Sequence, residues 1–330
     1  MTSQKKISVS EHEKGQRLDL FLSEILGISR SQAQHMIDAE TILVDGRIVT
    51  KSGYRMVEGS TIEIVKIKAD TKEQKTKDRE ELRTEEKEIF KQIKIVADID
   101  DYLVVNKPSG LLVHPTSAGE KISLASWVVK KYPNVLGVGD YADRPGIVHR
   151  LDKEASGLLV IAKNQKMFDH LKIQFQERSL EKIYSVLVYG DVEKDHATID
   201  FDIDRGKEGK MVSRPRMNEL TLKNVKHIQE GKKAMTEFWV EQRFSRFTLL
   251  KVKIHSGRTH QIRVHMFAYN HPVAGDTLYS NKKLVKKGDM QLDRLFLHAE
   301  KLCFADLADK MVCFECALPK ELLHYLDLLH

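Results

Sequence analysis

An aspartate stands between two cations in the stretch His149-Arg150-Leu151-Asp152-Lys153-Glu154-Ala155-Ser156-Gly157-Leu158-Leu159, ahead of a small-residue turn and an apolar run. A cationic setting favours the ionised form of a carboxyl group. An ionised carboxylate can act as a nucleophile or as a general base. An ion pair at the start of a strand explains the same residues, and on composition alone it is the more economical reading. The stretch therefore marks Asp152 as a candidate without settling its chemistry.

Other constellations are weaker. No G-x-x-x-x-G-K-[ST] phosphate loop and no G-x-S-x-G nucleophile turn occurs. Gly137-Val138-Gly139 lacks the third glycine of a dinucleotide fingerprint. His255, His260 and His265 are five residues apart, which suits neither one helix face nor a zinc spacing. The three cysteines, Cys303, Cys313 and Cys316, are too few and too clustered for a disulfide framework. Lys310 to Cys316 reads as a strand, so the thiols of Cys313 and Cys316 point to opposite faces. All three are expected to be ordinary core cysteines. No metal site and no cofactor is expected.

These residues need elements to position them, and the chain has room for two domains in 330 residues. It is 41% hydrophobic and 31% charged, enough to build a core and not a disordered composition. No run of about 18 apolar residues predicts a membrane span, and the N-terminus lacks the apolar core of a signal peptide. A cytoplasmic protein is expected. The net charge of +6 is compatible with a polyanionic partner. Residues 1–65 carry eight Lys or Arg against nine Asp or Glu, so the excess lies further along.

Within residues 15–65, Leu18, Phe21, Leu22 and Ile25 are spaced for one helix face, and Ser29 is an N-cap signal for a second helix over Arg30 to Ala39. Asp45-Gly46 between two short apolar runs predicts a hairpin, and Ser60 to Ile67 a further strand. Residues 68–88 are almost wholly charged with alternating sign, the pattern of a solvated linker. Its end can turn helical, with Ile89, Phe90 and Ile93 able to dock. Short β runs follow, among them 103–105, 157–162, 184–189, 238–242 and 247–254. Helical stretches over 123–131, 164–175 and 261–269 interrupt them. The fold class is α+β with a mostly antiparallel mixed sheet. The expected boundaries are 1–67 for a small N-terminal domain, 68–92 for the linker and 93–330 for a larger domain.

The stretch around Asp152 resembles the H-R-L-D-x-x-T-S-G-L-L motif of the RluA-type pseudouridine synthases, with Ala155 where that family usually has Thr. Further stretches resemble the family in the same order: Asn106-Lys107-Pro108-Ser109-Gly110, Lys182-Ile183-Tyr184 before Gly190, and Gly231-Lys232-Lys233-Ala234-Met235-Thr236. Gly257-Arg258-Thr259-His260-Gln261-Ile262-Arg263-Val264-His265, His271 to Asp276 and Leu297-His298-Ala299 complete the series. The resemblance spans residues 95–325. It implies a cofactor-independent isomerase that converts uridine in RNA to pseudouridine, with Asp152 as the catalytic carboxylate. It implies that Arg263 pairs with Asp152, that Tyr184 packs against the target base, and that Arg150 contacts RNA. It also implies that Lys107 supports the site and that Arg258 contacts a backbone phosphate.

Residues 15–65 resemble the alpha-L RNA-binding domain first known from a small-subunit ribosomal protein. Arg17-Leu18-Asp19, Ile28 to Ala33, Val44-Asp45-Gly46-Arg47 and Gly59-Ser60 carry the likeness. His35 stands where that domain commonly has Lys or Arg, and Glu40-Thr41 replaces its usual Glu-Gly. Arg30, Arg47 and Lys51 are the phosphate-contacting candidates. The joined pair of domains implies ribosomal RNA of the large subunit as partner, with transfer RNA as the alternative. A monomer is expected, without membrane or small-molecule cofactor. A non-catalytic RNA-binding assembly factor is the competing function. A nucleoside glycosidase is a third reading, and it calls for two cooperating carboxylates.

Overall fold

The structure, a computed structural model, describes residues 5–38, 40–51, 53–64, 84–115, 120, 122–141, 143–206, 210–214, 231–281, 284, 286 and 292–329. The expected charged linker lies outside them as far as residue 83. Two compact units divide the chain, Met1–Thr84 and Glu85–His330. Among the described residues no helix is long and apolar enough to cross a membrane.

In the first unit, helices α1 (Leu18–Leu26) and α2 (Arg30–Asp38) pack on a four-stranded antiparallel sheet. Its strands are β1 (Lys5–Ser8), β2 (Ile42–Val44), β3 (Arg47–Ile48) and β4 (Thr61–Ile64), in the order β1-β4-β2-β3. The apolar positions of α1 bury Leu18, Phe21 and Leu22 against Ala33 and Ile37 of α2 and Ile42 and Ile62 of the sheet. Gly27 ends α1 at φ 63°, the left-handed cap that glycine takes without a Cβ clash. Asp45 and Gly46 both have positive φ, 48° and 75°, which gives the tight turn between β2 and β3 its twist.

The second unit is built on β5 (Lys94–Asp98), β6 (Tyr102–Lys107), β7 (Ser156–Ala162), β8 (Glu181–Tyr189), β9 (His196–Ile199), β10 (Asp202–Arg205) and β11 (Met211–Arg214). To these it adds β12 (Thr236–Arg243), β13 (Phe247–Ile254), β14 (Leu297–Ala305) and β15 (Met311–Glu315). Nine of them form one sheet in the order β5-β6-β7-β14-β8-β13-β12-β9, with β15 beside β14, while β10 and β11 pair apart as a hairpin. All pairings are antiparallel except β7 with β14, so the sheet is mixed as expected. Every residue of β7 is buried, which explains its unbroken apolar sequence. Gly157 lies where β7 meets β14: an added Cβ would come within 2.4 Å of the Ala299 backbone.

Helices flank the sheet. Ser123 caps α3 (Leu124–Lys131) by accepting from Ser126 N–H, and Asn164 caps α4 (Gln165–Glu177) by accepting from Met167 N–H. Helix α5 (Gln261–Ala268) is buried through its first six residues. Helix α6 (Lys320–Asp327) sets Leu322 and Tyr325 on a satellite core with Phe247 and Phe296. Residues 84–91 are helical, and Ile89 and Phe90 pack on the main core.

One expectation is corrected. Cys303 and Cys313 face each other in the register of β14 and β15 and are joined in a disulfide. Directly opposed residues of an antiparallel pair project on the same face of the sheet, so their sulfurs meet. Cys316 follows the strand and keeps a free thiol.

Candidate active site

Asp152 lies on the loop that feeds β7. That loop is tied to the end of β6. Lys107, fully buried, donates from Nζ to the carbonyls of Pro108 (2.9 Å), Leu111 (2.7 Å) and Lys153 (3.1 Å). Gly110 N–H also donates to Lys153 O at 2.8 Å, and Ser109 Oγ donates to Glu154 O. Burial pushes the Lys107 amine down to about 7, against the opposing pull of Asp152. The two motifs that flank the gap between β6 and β7 are thus one structural piece, and the cation at its centre fixes the backbone next to Asp152.

Helix α5 brings the counter-charge. Arg263 Nη1 donates to Asp152 Oδ2 at 3.3 Å. Its tighter partner is Asp276: Nε donates to Oδ2 at 2.7 Å and Nη2 to Oδ1 at 2.9 Å. The Arg263 side chain is 4% exposed, that of Asp152 14% and that of Asp276 not at all. A two-point grip on one edge of a planar guanidinium aims its remaining nitrogen at the second carboxylate. The Arg263 hydrogen bonds hold the Asp276 carboxyl below its usual range even though burial opposes this. Gly275 at φ 73° permits the turn into Asp276, since a Cβ there would sit 1.9 Å from Arg294 O.

His260 precedes α5 in the left-handed region at φ 54°. It sets Nε2 4.0 Å from Asp152 Oδ1 and Nδ1 3.0 Å from the Tyr279 hydroxyl. The Tyr279 oxygen also accepts from Met211 N–H at 3.1 Å, and its ring lies 5.3 Å beneath the Arg263 guanidinium. Burial lowers the His260 pKa, favouring the neutral ring. Asp276, His260 and Tyr279 were not singled out as site residues in the sequence. The signals available were the G-R-T-H-Q-I-R stretch for His260 and the H-P-V-A-G-D stretch for Asp276.

Asp152, His260 and Arg263 open onto a cleft of about 840 Å³. Tyr184 of β8, Leu151 and Ile262 line it and are buried. Burial, aided by the Asp152 charge, pushes the Tyr184 hydroxyl above the ordinary phenol range, so it keeps its proton at neutral pH. Arg150 and Arg258 also line the cleft. Arg150 Nη1 lies 3.2 Å from His114 Nε2, and burial pushes His114 down to about 4, leaving it a neutral acceptor. Arg258 Nε donates to Lys233 O at 3.2 Å. Asp152, Tyr184, Arg150, Arg258 and Arg263 therefore share one cleft, and Lys107 braces the loop that carries Asp152.

Arg30, Arg47 and Lys51 belong to the N-terminal unit. Arg47 and Lys51 are exposed. Arg30 is engaged within the unit, where its Nε donates to Asp19 Oδ2 at 2.8 Å while Arg17 grips the same carboxylate. Among the described residues no cluster of three or more His, Cys, Asp or Glu could hold a metal ion.

The family model for RNA pseudouridylate synthase matches residues 101–268, and the S4 domain model matches residues 16–62. An uncharacterised RNA pseudouridine synthase of Aquifex aeolicus is 38% identical over 273 residues, covering 81% of this chain and 78% of the relative. One of Bacillus subtilis is 31% identical over 97% of this chain and 96% of its own length. The ribosomal large subunit pseudouridine synthase D of Buchnera aphidicola is 34% identical, covering 82% of this chain and 78% of the relative. Among solved structures, human RNA pseudouridylate synthase domain containing 1 superposes with a TM-score of 0.55 at 25% identity, covering 73% of this chain and 90% of that one. With the fold, the cleft and these matches in agreement, the chain belongs to the RNA pseudouridylate synthase family and carries an N-terminal S4 domain.

Proposed function

We propose that this isomerase acts on uridines of large-subunit ribosomal RNA and that Asp152 is its reacting carboxylate. The observation that carries the assignment of Asp152 is its place in the cleft, partly buried and held by the nearly inaccessible Arg263. The substrate rests on relatives named as ribosomal large subunit pseudouridine synthases, among them those of Buchnera aphidicola and Haemophilus ducreyi.

The isomerisation breaks the bond from N1 of uracil to C1′, turns the base, and forms a bond from C5 to C1′. A proton leaves C5 and one is gained at N1, so nothing is oxidised or lost from the RNA strand. Asp152 attacks the sugar or removes a sugar proton; its ionised form serves either route. Arg263 keeps it aimed, with Asp276 holding Arg263 in turn. The uridine must leave its stack to reach the cleft, where the Tyr184 ring supplies a face for the base and its protonated hydroxyl a donor. Arg150 and Arg258 at the cleft bind the strand that carries the uridine, and Lys107 keeps the Asp152 loop in register.

Large-subunit ribosomal RNA labelled with tritium at uracil C5 tests the proposal. Isomerisation releases tritium to water. A glycosidase would release free uracil, and a pure binding protein would release neither. Release from transfer RNA but not from ribosomal RNA would redirect the substrate assignment.

A further inference from the structure

Lys182 and Tyr184 are two residues apart on β8, so their side chains leave the same face of the strand, about 7 Å apart along it. Both line the cleft. Lys182 is partly buried, with its ammonium 5.1 Å from the centre of the Phe175 ring, and that ring stacks on His149 at 4.6 Å. His149 is itself pushed down to about 3, mainly by burial, and is neutral. The other lysines of the cleft have a carboxylate partner: Lys253 and Lys301 each approach Glu181 at 3.3 Å. No carboxylate among the described residues plays that part for Lys182. Burial alone moves its amine down to about 8, with no anion pulling it back.

A cation withdrawn from water without a partner is costly to the folded chain. The aromatic face of Phe175 offsets part of this cost. The rest is recovered when an anion enters, and the anion that an RNA strand brings is its phosphodiester. An ammonium with three donors on a flexible stem suits that charge, wherever its oxygens point. We propose that Lys182 binds the backbone phosphate adjoining the uridine received by Tyr184, fixing the strand in the cleft while Asp152 acts on the sugar. This rests on the reading that the cleft receives a uridine of RNA.

The test compares the full chain with Lys182→Met and Lys182→Arg, checked for equal folding by circular dichroism, on a large-subunit ribosomal RNA transcript labelled at uracil C5. Tritium release gives KM and kcat, and filter binding gives affinity at several salt concentrations. Lys182→Met should raise KM about tenfold, equivalent to ~1.4 kcal/mol, with kcat within about twofold. Its slope of log affinity against log salt should flatten by about 0.7 to 0.9, the loss of one phosphate contact. Lys182→Arg should restore both. If Lys182→Met does not fold, Lys182→Gln replaces it in both measurements. A fall in kcat with KM and salt slope unchanged would overturn the proposal and place the amine in the chemistry. No change in any of the three would equally overturn it. If the wild-type chain releases no tritium, the reading of the cleft fails, while the salt slopes still decide whether Lys182 holds a phosphate.

Discussion

Replacing Asp276 by asparagine removes one charge from a buried ion pair at nearly constant volume. Both oxygens of Asp276 are in use: Oδ2 accepts from Arg263 Nε, and Oδ1 accepts from Arg263 Nη2, Leu278 N–H and Tyr279 N–H. Asparagine keeps one oxygen for the two backbone donors. Its amide nitrogen then takes the place of Oδ2 and faces Arg263 Nε, donor against donor. Arg263 stays charged and 4% exposed, with Asp152 at 3.3 Å and Glu154 at 3.7 Å as its remaining counter-charges. Breaking a buried pair costs ~3–5 kcal/mol. The two remaining carboxylates put this case near the lower end, ~3 kcal/mol. At ~2–4 °C per kcal/mol for a domain of this size, the melting temperature of the Glu85–His330 unit should fall by ~6–12 °C. The chain's two tryptophans, Trp127 and Trp239, both lie in that unit, so their fluorescence reports its unfolding. Turnover should fall by about 10²-fold, the scale of an ångström-sized misplacement in a catalytic group. A variant that melts within about 2 °C of the wild type and keeps full tritium release would show that Asp276 does not position Arg263.

Tyr184→Phe should retain RNA affinity while slowing turnover, because the ring survives and the protonated hydroxyl does not. Tyr184→Ala should weaken affinity as well, by roughly 1–3 kcal/mol for a lost stacking face, and full activity in both variants would remove Tyr184 from the site. In the N-terminal unit, hydrogen bonds from Arg17 and then Arg30 hold the Asp19 carboxyl down to about 2 from 3.8. A depressed folded pKa means that the unfolded chain binds more protons in this window. The contribution, about 2 kcal/mol, is therefore complete above pH 3.8 and is lost as the pH falls through about 2. Urea unfolding read by hydrogen exchange in α1 and α2 should show Asp19→Asn less stable than wild type at about pH 6, with the gap closing on acidification. A gap independent of pH would remove the ion pair from the stability of that unit.

Where neighbouring residues carry the information, the fold and site were legible in the chain. The β7 run reads directly because both of its faces are buried, and Asp152 sits in a contiguous motif ahead of it. The helical stretches beginning at Ser123 and Asn164 also read from the chain, and in the structure each starts on a short-range side-chain cap. The charged stretch 68–88 was expected to turn helical at its end with Ile89 and Phe90 docking, and the helix over 84–91 does send both to the main core. Strands β1 and β10 were not legible: each has four residues with a single apolar one, Ile7 and Ile203, too few to show a period of two. The Asp276 grip was hidden for another reason. Arg263 is 13 residues away, and only the turn after Gly275 brings the carboxylate to it. The pairing of Arg263 with Asp152 came from resemblance, and in the structure the stronger bonds go to Asp276. Likewise, the Cys303–Cys313 disulfide depends on the register of β14 with β15, which spacing along the chain does not reveal.

Asp152→Asn tests the central claim most directly, since the change is nearly isosteric and leaves Arg263 its bonds to Asp276. Wild-type and variant chains would be compared on ribosomal RNA labelled with tritium at uracil C5, with melting temperature and RNA affinity measured on the same preparations. Tritium release should fall to background while melting temperature and affinity stay close to wild type. A folded Asp152→Asn chain that binds RNA and still releases tritium at a substantial rate would contradict the assignment of Asp152 as the reacting carboxylate.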